Sequence, residues 1–322
     1  MKAIVHEHYG RPTVLHMREV DKPTALEDDQ VLVHVLASSV NPVEWYGVTG
    51  PYFSRIGSGM RRPKDPTVGA DLAGTIEAVG TGVTDSQPGD EVFGVSGGSW
   101  AEYTTARRER LARKPTNLSF EEAAAVPVAG ITALQALRDK AQVQPGHKVL
   151  INGASGGVGT FAVQLAKSFG ADVTAVCSTG NVEQARSLGA DRVVDYTRQD
   201  FTELGLRHDV MLDIAGNRSF LDFRKALTDE ATVVVVGGHM TYRGLGPLPH
   251  IAGTILKSRF RSQTVTFFVA KVTTEDLTFL ADLLEAGTVR SVIDRRYDLD
   301  EAPDALSYLG EGHAKAKVVI TV

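Results

Sequence analysis

The sequence predicts an α/β chain, a doubly wound parallel sheet joined to a compact β-rich region. Three observations carry this. From residue 147 onward, short apolar runs alternate with helical patterns, as in "HKVLING", "VGTFAVQLAKSFGA" and "DVTAVCS". Strands alternating with helices imply parallel pairing. Before residue 119 the chain is turn-rich, with helical period only around "VEWYGV". Finally, 322 residues exceed one average domain, so two are expected.

Taken in order, "MKAIV" and "QVLVHVLAS" are short β-branched runs, and "GTIEAVGTGVTD" alternates around glycines. "PGDEVFGVSGG" is a turn followed by a strand. Ser119 precedes Glu122 by three residues, a capping-box signature. "ITALQALRDK" is good helix former once the interruptions at Pro127 and Gly130 are passed. The helix after "HKVLING" stops at Gly170, and "NVEQARSLGA" is a second helix with a glycine stop. "RVVDY", "HDVMLDIAG" and "ATVVVVGG" continue the series of strands. "TTEDLTFLADLLEAGTV" is an amphipathic helix, "SVIDRRYDL" and "KAKVVITV" are strands, and "DEAPDALSYLGEG" is a short helix between them. Pattern alone leaves open whether this last group extends the parallel sheet or returns to the first region.

With 43% hydrophobic and 23% charged residues the composition is that of an ordinary globular protein. A net charge of -5 argues against a general nucleic-acid or membrane-surface role. The basic stretches "ARRERLARK" and "LKSRFR" read as solvated faces or a cofactor-side edge. One cysteine, Cys177, excludes an intramolecular disulfide and a zinc site built on several thiolates. The N-terminal "MKAIVHEHYG" has no apolar h-region, and no apolar run approaches the roughly 20 residues needed to span a bilayer. A cytoplasmic location is expected, without a membrane or nucleic-acid partner.

The stretch "INGASGGVGTF" has two readings. Gly153 to Gly157 spell G-x-S-x-G, the turn that exposes a nucleophilic serine, with Asp213 and then His239, His250 or His313 following in the required order. Ala154 to Gly159 spell A-x-G-x-x-G, a dinucleotide cradle. No His-Gly-Gly element precedes Ser155, and the motif follows the first strand of the α/β half, where a nucleophile turn needs several strands before it. The cradle explains more residues. Gly156 lets backbone approach a pyrophosphate and Gly159 lets helix and strand pack closely. The helix from about Val158 aims its N–H groups at the phosphates. Ala154 takes the place of the first glycine and Ser155 is a spacer that holds a phosphate at most; Ala154, Ser155, Gly156, Gly157, Val158 and Gly159 together form the cofactor-binding loop. The next strand, "DVTAV", ends in Cys177-Ser178-Thr179-Gly180-Asn181 without a carboxylate. NAD sites place an acid there for the ribose hydroxyls, so its absence permits NADP. Ser178 can donate to a 2′-phosphate, although no Arg or Lys follows immediately and Arg186 lies a turn or two onward. A small polar loop without cofactor preference is the alternative.

With these residues in hand, the chain resembles the zinc-free quinone oxidoreductases of the medium-chain dehydrogenase/reductase superfamily. The similarity runs nearly end to end, through "SSVNPVEW", "VGADLAGTIEAVGTGVTDSQPGDEVFG", "AEYTT", "AGITALQAL", "INGASGGVGTFAVQLAK", "CSTGNVEQARSLGADRVVDY" and "KAKVVITV". The resemblance implies a GroES-like catalytic domain over residues 1–122 and 271–322, with a Rossmann NADP(H)-binding domain over 123–270 inserted in it. Zinc-dependent relatives carry Gly-His-Glu where this chain has Gly69-Ala70-Asp71, and Asn41 stands near the place of their catalytic cysteine; no metal is expected. The implied reaction is NADPH-dependent, zinc-independent hydride transfer across the cleft to a quinone or an α,β-unsaturated carbonyl, in a homodimer. Such acceptors form an aromatic or delocalised anion and need less help than a simple ketone, whose reduction relies on a Lewis acid.

The resemblance also suggests site residues. Asn41 would hydrogen-bond the nicotinamide ribose or the substrate oxygen, or else merely form an Asn-Pro turn. Tyr46 and Tyr52 would face substrate and donate to the oxyanion, or serve in core or lid packing. Thr132, Gly237 and Gly238 fall on the nicotinamide side, and Ser178 and Tyr196 at the adenosine phosphate. Phe267 and Phe268 would line the cleft or form an apolar edge strand for dimerisation. A non-catalytic NADPH-binding sensor or structural protein of the same fold is the alternative to an enzyme.

Overall fold

The computed structural model describes residues 1–238, 245, 247–259, 261–312 and 314–322. Strands β1 (Lys2–Val5) and β2 (His16–Glu19) pair antiparallel. The 11-residue β3 (Gln30–Val40) leads into α1 (Pro42–Thr49) and α2 (Tyr52–Ser58). Then come β4 (Asp71–Val79), β5 (Glu91–Val95), β6 (Tyr103–Arg107) and β7 (Leu111–Arg113). β3 pairs antiparallel with both β4 and β6, and β5 with β4 and β7. The β-branched run of β3 supplies Val31, Val33 and Val35 to a buried cluster with Leu72, Ile76, Val92 and Leu111. Burial of such side chains, at about 25 cal/mol per Å² of apolar surface, is what holds this sheet closed.

Helix α3 (Phe120–Ala124) is capped as the sequence suggests: Ser119 Oγ accepts from Glu122 N–H, and the Glu122 carboxylate accepts from Ser119 N–H. Pro127 does not interrupt a helix; it opens α4 (Pro127–Gln135), where its missing N–H would lack a helical partner anyway.

The alternating series follows as β8 (Lys148–Asn152), α5 (Gly157–Ser168), β9 (Asp172–Cys177), α6 (Val182–Ser187), β10 (Arg192–Asp195) and β11 (His208–Asp213). It ends with α7 (Phe220–Phe223), β12 (Leu227–Val235), α8 (Leu248–Ser258) and β13 (Thr264–Phe267). These six strands form one parallel sheet in the order β10-β9-β8-β11-β12-β13. The chain moves outward from β8 through β9 to β10, then crosses back to place β11 on the other side of β8. Loops leaving β8 and β11 therefore diverge, which is the switch point where doubly wound sheets bind ligands.

The C-terminal elements are α9 (Thr274–Glu285), β14 (Ile293–Asp298), α10 (Ala302–Gly310) and β15 (Lys317–Thr321). β15 pairs antiparallel with β3, with Val319 opposite Ser39, and β14 runs parallel to β15. The end of the chain thus completes the first sheet and does not extend the second. One compact unit comprises Met1–Ile131 and Lys271–Val322; the other, among the described residues, lies within 132–238 and 245–270. The first extends past residue 122 because the start of α4 is tied to β4: Val128 N–H donates to the Asp71 carboxylate at 2.8 Å.

Candidate functional site

At the end of β8 the chain turns at Gly153, whose φ of +96° suits only glycine, and a Cβ there would stand 3.3 Å from the Ile214 Cβ. The tight turn expected at Ala154 is therefore made one residue earlier. Ala154 is fully buried and its N–H donates to the Val176 carbonyl at 3.0 Å. A Cβ on Gly159 would sit 2.1 Å from the Gly153 carbonyl oxygen, so only glycine lets α5 close this tightly on the strand. Gly156 is the helix N-cap and offers no capping side chain. A Cβ on Gly156 would meet nothing nearer than the Gly153 oxygen at 3.8 Å, so a side chain there would fill open space. The first N–H groups of α5, on Gly157, Val158 and Gly159, point out of the helix without helical partners. Open space, free donors and a positive helix end together fit a pyrophosphate.

Ser155 lies half-buried in this loop, and among the described residues no histidine is hydrogen-bonded to it. The acid and base once paired with it in sequence, Asp213 and His250, do meet at 2.8 Å. Their work lies elsewhere. Asp213 is fully buried at the end of β11 and accepts from Asn152 Nδ2 (2.9 Å) and Gly216 N–H (3.1 Å), pinning the loop after β11 to the end of β8. His239 and His313 lie outside the described residues. Among the described residues there is no hydrogen-bonded serine–histidine pair of the kind a nucleophile requires.

At the other side of β8, Ser178 follows β9 and accepts from Asn181 Nδ2 at 3.0 Å. Parallel pairing sets Asp195 of β10 opposite Cys177, and Tyr196 N–H donates to the Cys177 carbonyl at 3.0 Å, with its ring 53% exposed. Thr179 Oγ1 donates to Asp195 at 2.6 Å. The carboxylate missing after β9 in the sequence thus arrives from the neighbouring strand. Hydrogen bonds, that of Thr179 foremost, hold the Asp195 carboxyl below the usual carboxylate range. Arg198 follows with its guanidinium 3.5 Å from Asp195, whereas Arg186 is paired with Glu183 at 2.5 Å. Cys177 is buried, which pushes its thiol up to about 11, so it packs as a small apolar side chain.

Gly237 and Gly238 follow β12, and Gly237 N–H donates to the Asp213 carbonyl. Thr132 is half-buried on α4. Phe267 ends the edge strand β13 and is 39% exposed, while the Phe268 ring has Lys140 Nζ 5.6 Å from its centre.

In the other unit, Asn41 is turned inward. It is 3% exposed; its Nδ2 donates to Asp71 at 2.9 Å and its Oδ1 accepts from Lys317 Nζ at 2.5 Å. Both ends of the amide thus make a hydrogen bond within the protein, at the N-cap of α1. Asp71 is fully buried and also accepts from Ser39 Oγ and, at 3.3 Å, from Lys317 Nζ. The resemblance sets Asn41 near the place of the catalytic cysteine of zinc-dependent relatives and Asp71 in the place of the Glu of their Gly-His-Glu; here the two are bonded to each other. Among the described residues no three His, Cys, Asp or Glu side chains converge to hold a metal ion.

Glu44 lies beside this cluster, 4% exposed. One carboxyl oxygen accepts from Asn41 N–H at 2.7 Å and the other, Oε1, has no hydrogen-bond partner. Burial, with the Asp71 charge nearby, pushes its carboxyl up to about 8, so it holds a proton at neutral pH. Tyr46, on α1 between Glu44 and α2, is half-buried and packs edge-on against Phe53. Burial raises its phenol above the ordinary value, and among the described residues its hydroxyl has no hydrogen-bond partner. Tyr52 opens α2 and is 65% exposed.

Sequence reasoning missed Glu44, Lys317, Asp195 and Arg198. Glu44 carried a readable signal, since Asn41-Pro42-Val43-Glu44 is a helix-start pattern with proline at the first helical position. Lys317 was visible only as a charge within an apolar strand.

Residues 27–116 match the family described as alcohol dehydrogenase GroES-like domain, and residues 188–320 the family described as zinc-binding dehydrogenase. The 2-methylene-furan-3-one reductase of Solanum lycopersicum is 36% identical over 99% of this chain and 79% of its own length. The chloroplastic NADPH-dependent alkenal/one oxidoreductase of Arabidopsis thaliana is 33% identical with the same coverage. The structure of the quinone oxidoreductase from Coxiella burnetii superimposes with a TM-score of 0.87 at 28% identity, covering 100% of this chain and 99% of that one. A glycine cradle at the switch point of a parallel sheet, a second sheet closed by the returning C-terminus, and relatives matched along their length agree: the chain belongs to the medium-chain dehydrogenase/reductase superfamily, in its zinc-free, quinone oxidoreductase-like branch.

Proposed function

We propose that the protein is an NADPH-dependent, zinc-independent reductase of quinones or α,β-unsaturated carbonyls. The observation that carries this is the Gly153–Gly159 cradle, where a tight turn, open space over Gly156 and the free N–H groups of α5 meet at the switch point. The names of the relatives, an enone reductase, an NADPH-dependent alkenal/one oxidoreductase and a quinone oxidoreductase, support the acceptor class.

Bound NADPH supplies the hydride. The α5 N–H groups would hold its pyrophosphate, and Ser178 and Tyr196 would take the adenosine end. The helix end alone contributes only about 0.3–2 kcal/mol, so the backbone after β11 and β12, including Gly237 and Gly238, must supply much of the roughly 8 kcal/mol that micromolar binding requires. Hydride addition to a quinone or enone leaves negative charge on the substrate oxygen, and a donor there lowers the barrier. Tyr46 suits this role. Among the described residues its hydroxyl has no partner, and its raised pKa keeps the proton in place at neutral pH. Tyr52 is the exposed second phenol. Asn41 and Glu44 act at one remove, by fixing the start of the helix that carries Tyr46.

NADPH oxidation measured against a panel of quinones and enones tests the proposal. Tight NADPH binding without turnover of any acceptor would leave a binding protein instead. A homodimer is the proposed assembly, supported by the edge of β13, which pairs with no further strand among the described residues, and by the exposed Phe267, Val269 and Leu256 near it. Light scattering of the eluted protein at micromolar concentration decides this. A cytoplasmic location is proposed on the strength of one unpaired cysteine; imaging of a tagged chain tests it.

A further inference from the structure

Resting on the NADPH reading above, we propose that Arg198 is the cation that recognises the 2′-phosphate, acting with the Ser178 hydroxyl, and that Asp195 holds it in wait. The first observation is geometric. Arg198 Nε (3.5 Å) and Thr179 Oγ1 (2.6 Å) approach the same oxygen of Asp195, so the guanidinium stands beside the loop that opens with Ser178. Arg198 lies 21 residues beyond Cys177 in the chain and is brought there by the parallel pairing of β9 with β10.

The second observation concerns which cation is available. Arg186 is engaged with Glu183 at 2.5 Å. Asp195 is already served without Arg198, since it accepts from Thr179 Oγ1, from Thr197 N–H at 3.0 Å and from Thr197 Oγ1 at 2.7 Å. The Arg198 contact at 3.5 Å is long for a charge-assisted hydrogen bond, and its side chain is 73% exposed. Arg198 is thus loosely held, and a phosphate dianion offers its planar fork a better partner than a satisfied carboxylate.

The third is Asn181, a buried side chain that is 6% exposed and whose Oδ1 has no hydrogen-bond partner. Its Nδ2 donates to Ser178 Oγ. With that lone pair occupied, the Ser178 hydroxyl keeps its own proton for an acceptor outside the protein. Asn181 is a positioning residue for Ser178. Asp195 has a second effect: a carboxylate near the ribose repels the 2′-phosphate, so NADPH preference requires Arg198 to offset it.

The test is equilibrium binding of NADPH, NADH, 2′,5′-ADP and 5′-AMP to the full chain by calorimetry. The two adenosine nucleotides isolate the 2′-phosphate from the nicotinamide and need no turnover. Arg198→Ala is expected to weaken NADPH and 2′,5′-ADP roughly 10- to 30-fold while NADH and 5′-AMP change less than about 2-fold. Arg198→Lys retains part of the preference, because a point charge replaces the fork. Asp195→Asn tightens 2′,5′-ADP by about 3-fold, the effect of removing one screened like charge. Equal affinity of the parent for NADPH and NADH, or an Arg198→Ala variant that loses both cofactors alike, overturns the Arg198 assignment and leaves the dinucleotide site standing. A parent that binds neither cofactor overturns the NADPH reading and the assignment with it.

Discussion

Glu44→Gln changes one atom in a place where the charge state decides stability. A carboxyl moved from near 4.5 to about 8 by burial beside Asp71 is protonated in the folded chain and ionised in the unfolded one over the intervening pH range. Linkage then fixes the sign: the contribution is fully present below about pH 4.5 and is lost as pH rises through 8. At about 1.36 kcal/mol per pH unit, the whole window spans about 5 kcal/mol, and the interval from pH 5.5 to 7.5 about 3 kcal/mol. Glutamine carries no titrating proton and keeps an acceptor for Asn41 N–H, so the variant should lack this slope. Both tryptophans, Trp45 and Trp100, are fully buried in the unit that contains Glu44, so their fluorescence reports its unfolding directly. Denaturant melts at pH 5.5 and 7.5 should show Glu44→Gln gaining about 3 kcal/mol on the parent between the two. Parallel pH profiles for parent and variant would mean that Glu44 is ionised in the fold, with Lys317 carrying its charge, and the reasoning would fail.

Three further outcomes follow from the same geometry. Gly159→Ala drives a Cβ to 2.1 Å from the Gly153 oxygen, and overpacking of this kind costs about 1–3 kcal/mol; NADPH titration should show at least a tenfold loss of affinity, and parent-like binding would contradict the cradle. Lys317→Met leaves the Asp71 carboxylate buried without its cation and should cost about 3–5 kcal/mol in a tryptophan-monitored melt, while adding Asp71→Asn should restore a good part; simple additivity of the two changes would refute their coupling. Cys177, buried with its thiol pushed up to about 11, should not react with a disulfide reagent at pH 7.5 until denaturant is added, when one thiol per chain should titrate.

The parallel sheet was readable because each β–α unit carries its own punctuation: an apolar run, a helical period and a glycine stop, as at Gly170, where φ is +80°. Where punctuation or burial is missing, the sequence is silent. Helix α2 has no buried residue, so no apolar period marks it between Pro51 and Gly59. "KAKVVITV" is an apolar run that either sheet could accept, and only its pairing with β3, more than 270 residues away in the chain, decides. Site residues divide in the same way. The cradle glycines are set by local spacing, and the motif finds them. The turn itself falls at Gly153, where any Cβ would meet Ile214 and Ala215 of another strand's loop. The partners of Asn41, Asp71 and Lys317, are not legible locally because they lie 30 and 276 residues away. Asp195 escaped because a search for an acid after β9 follows the chain, whereas the sheet places its neighbour's side chain there.

The two fully buried carboxylates show why such long-range residues matter to a site they need not touch. Asp71 opens β4 and Asp213 closes β11, and each accepts a backbone N–H from a separate segment, Val128 in one case and Gly216 in the other. Each also binds a side chain that positions a working loop: Asn41 at the start of the helix bearing Tyr46, and Asn152 at the end of the strand before the cradle. Burying a charge is costly, and an apolar side chain of the same size would often give a more stable core. An apolar residue, however, accepts no hydrogen bond and would leave those N–H groups unsatisfied in the interior, each at a cost of about 1–3 kcal/mol. The loops would then be free to settle elsewhere. Asp71 offsets its burial with Lys317, Asp213 is hydrogen-bonded to His250, and what each carboxylate secures is the shape of a loop that has to be ready before a ligand arrives.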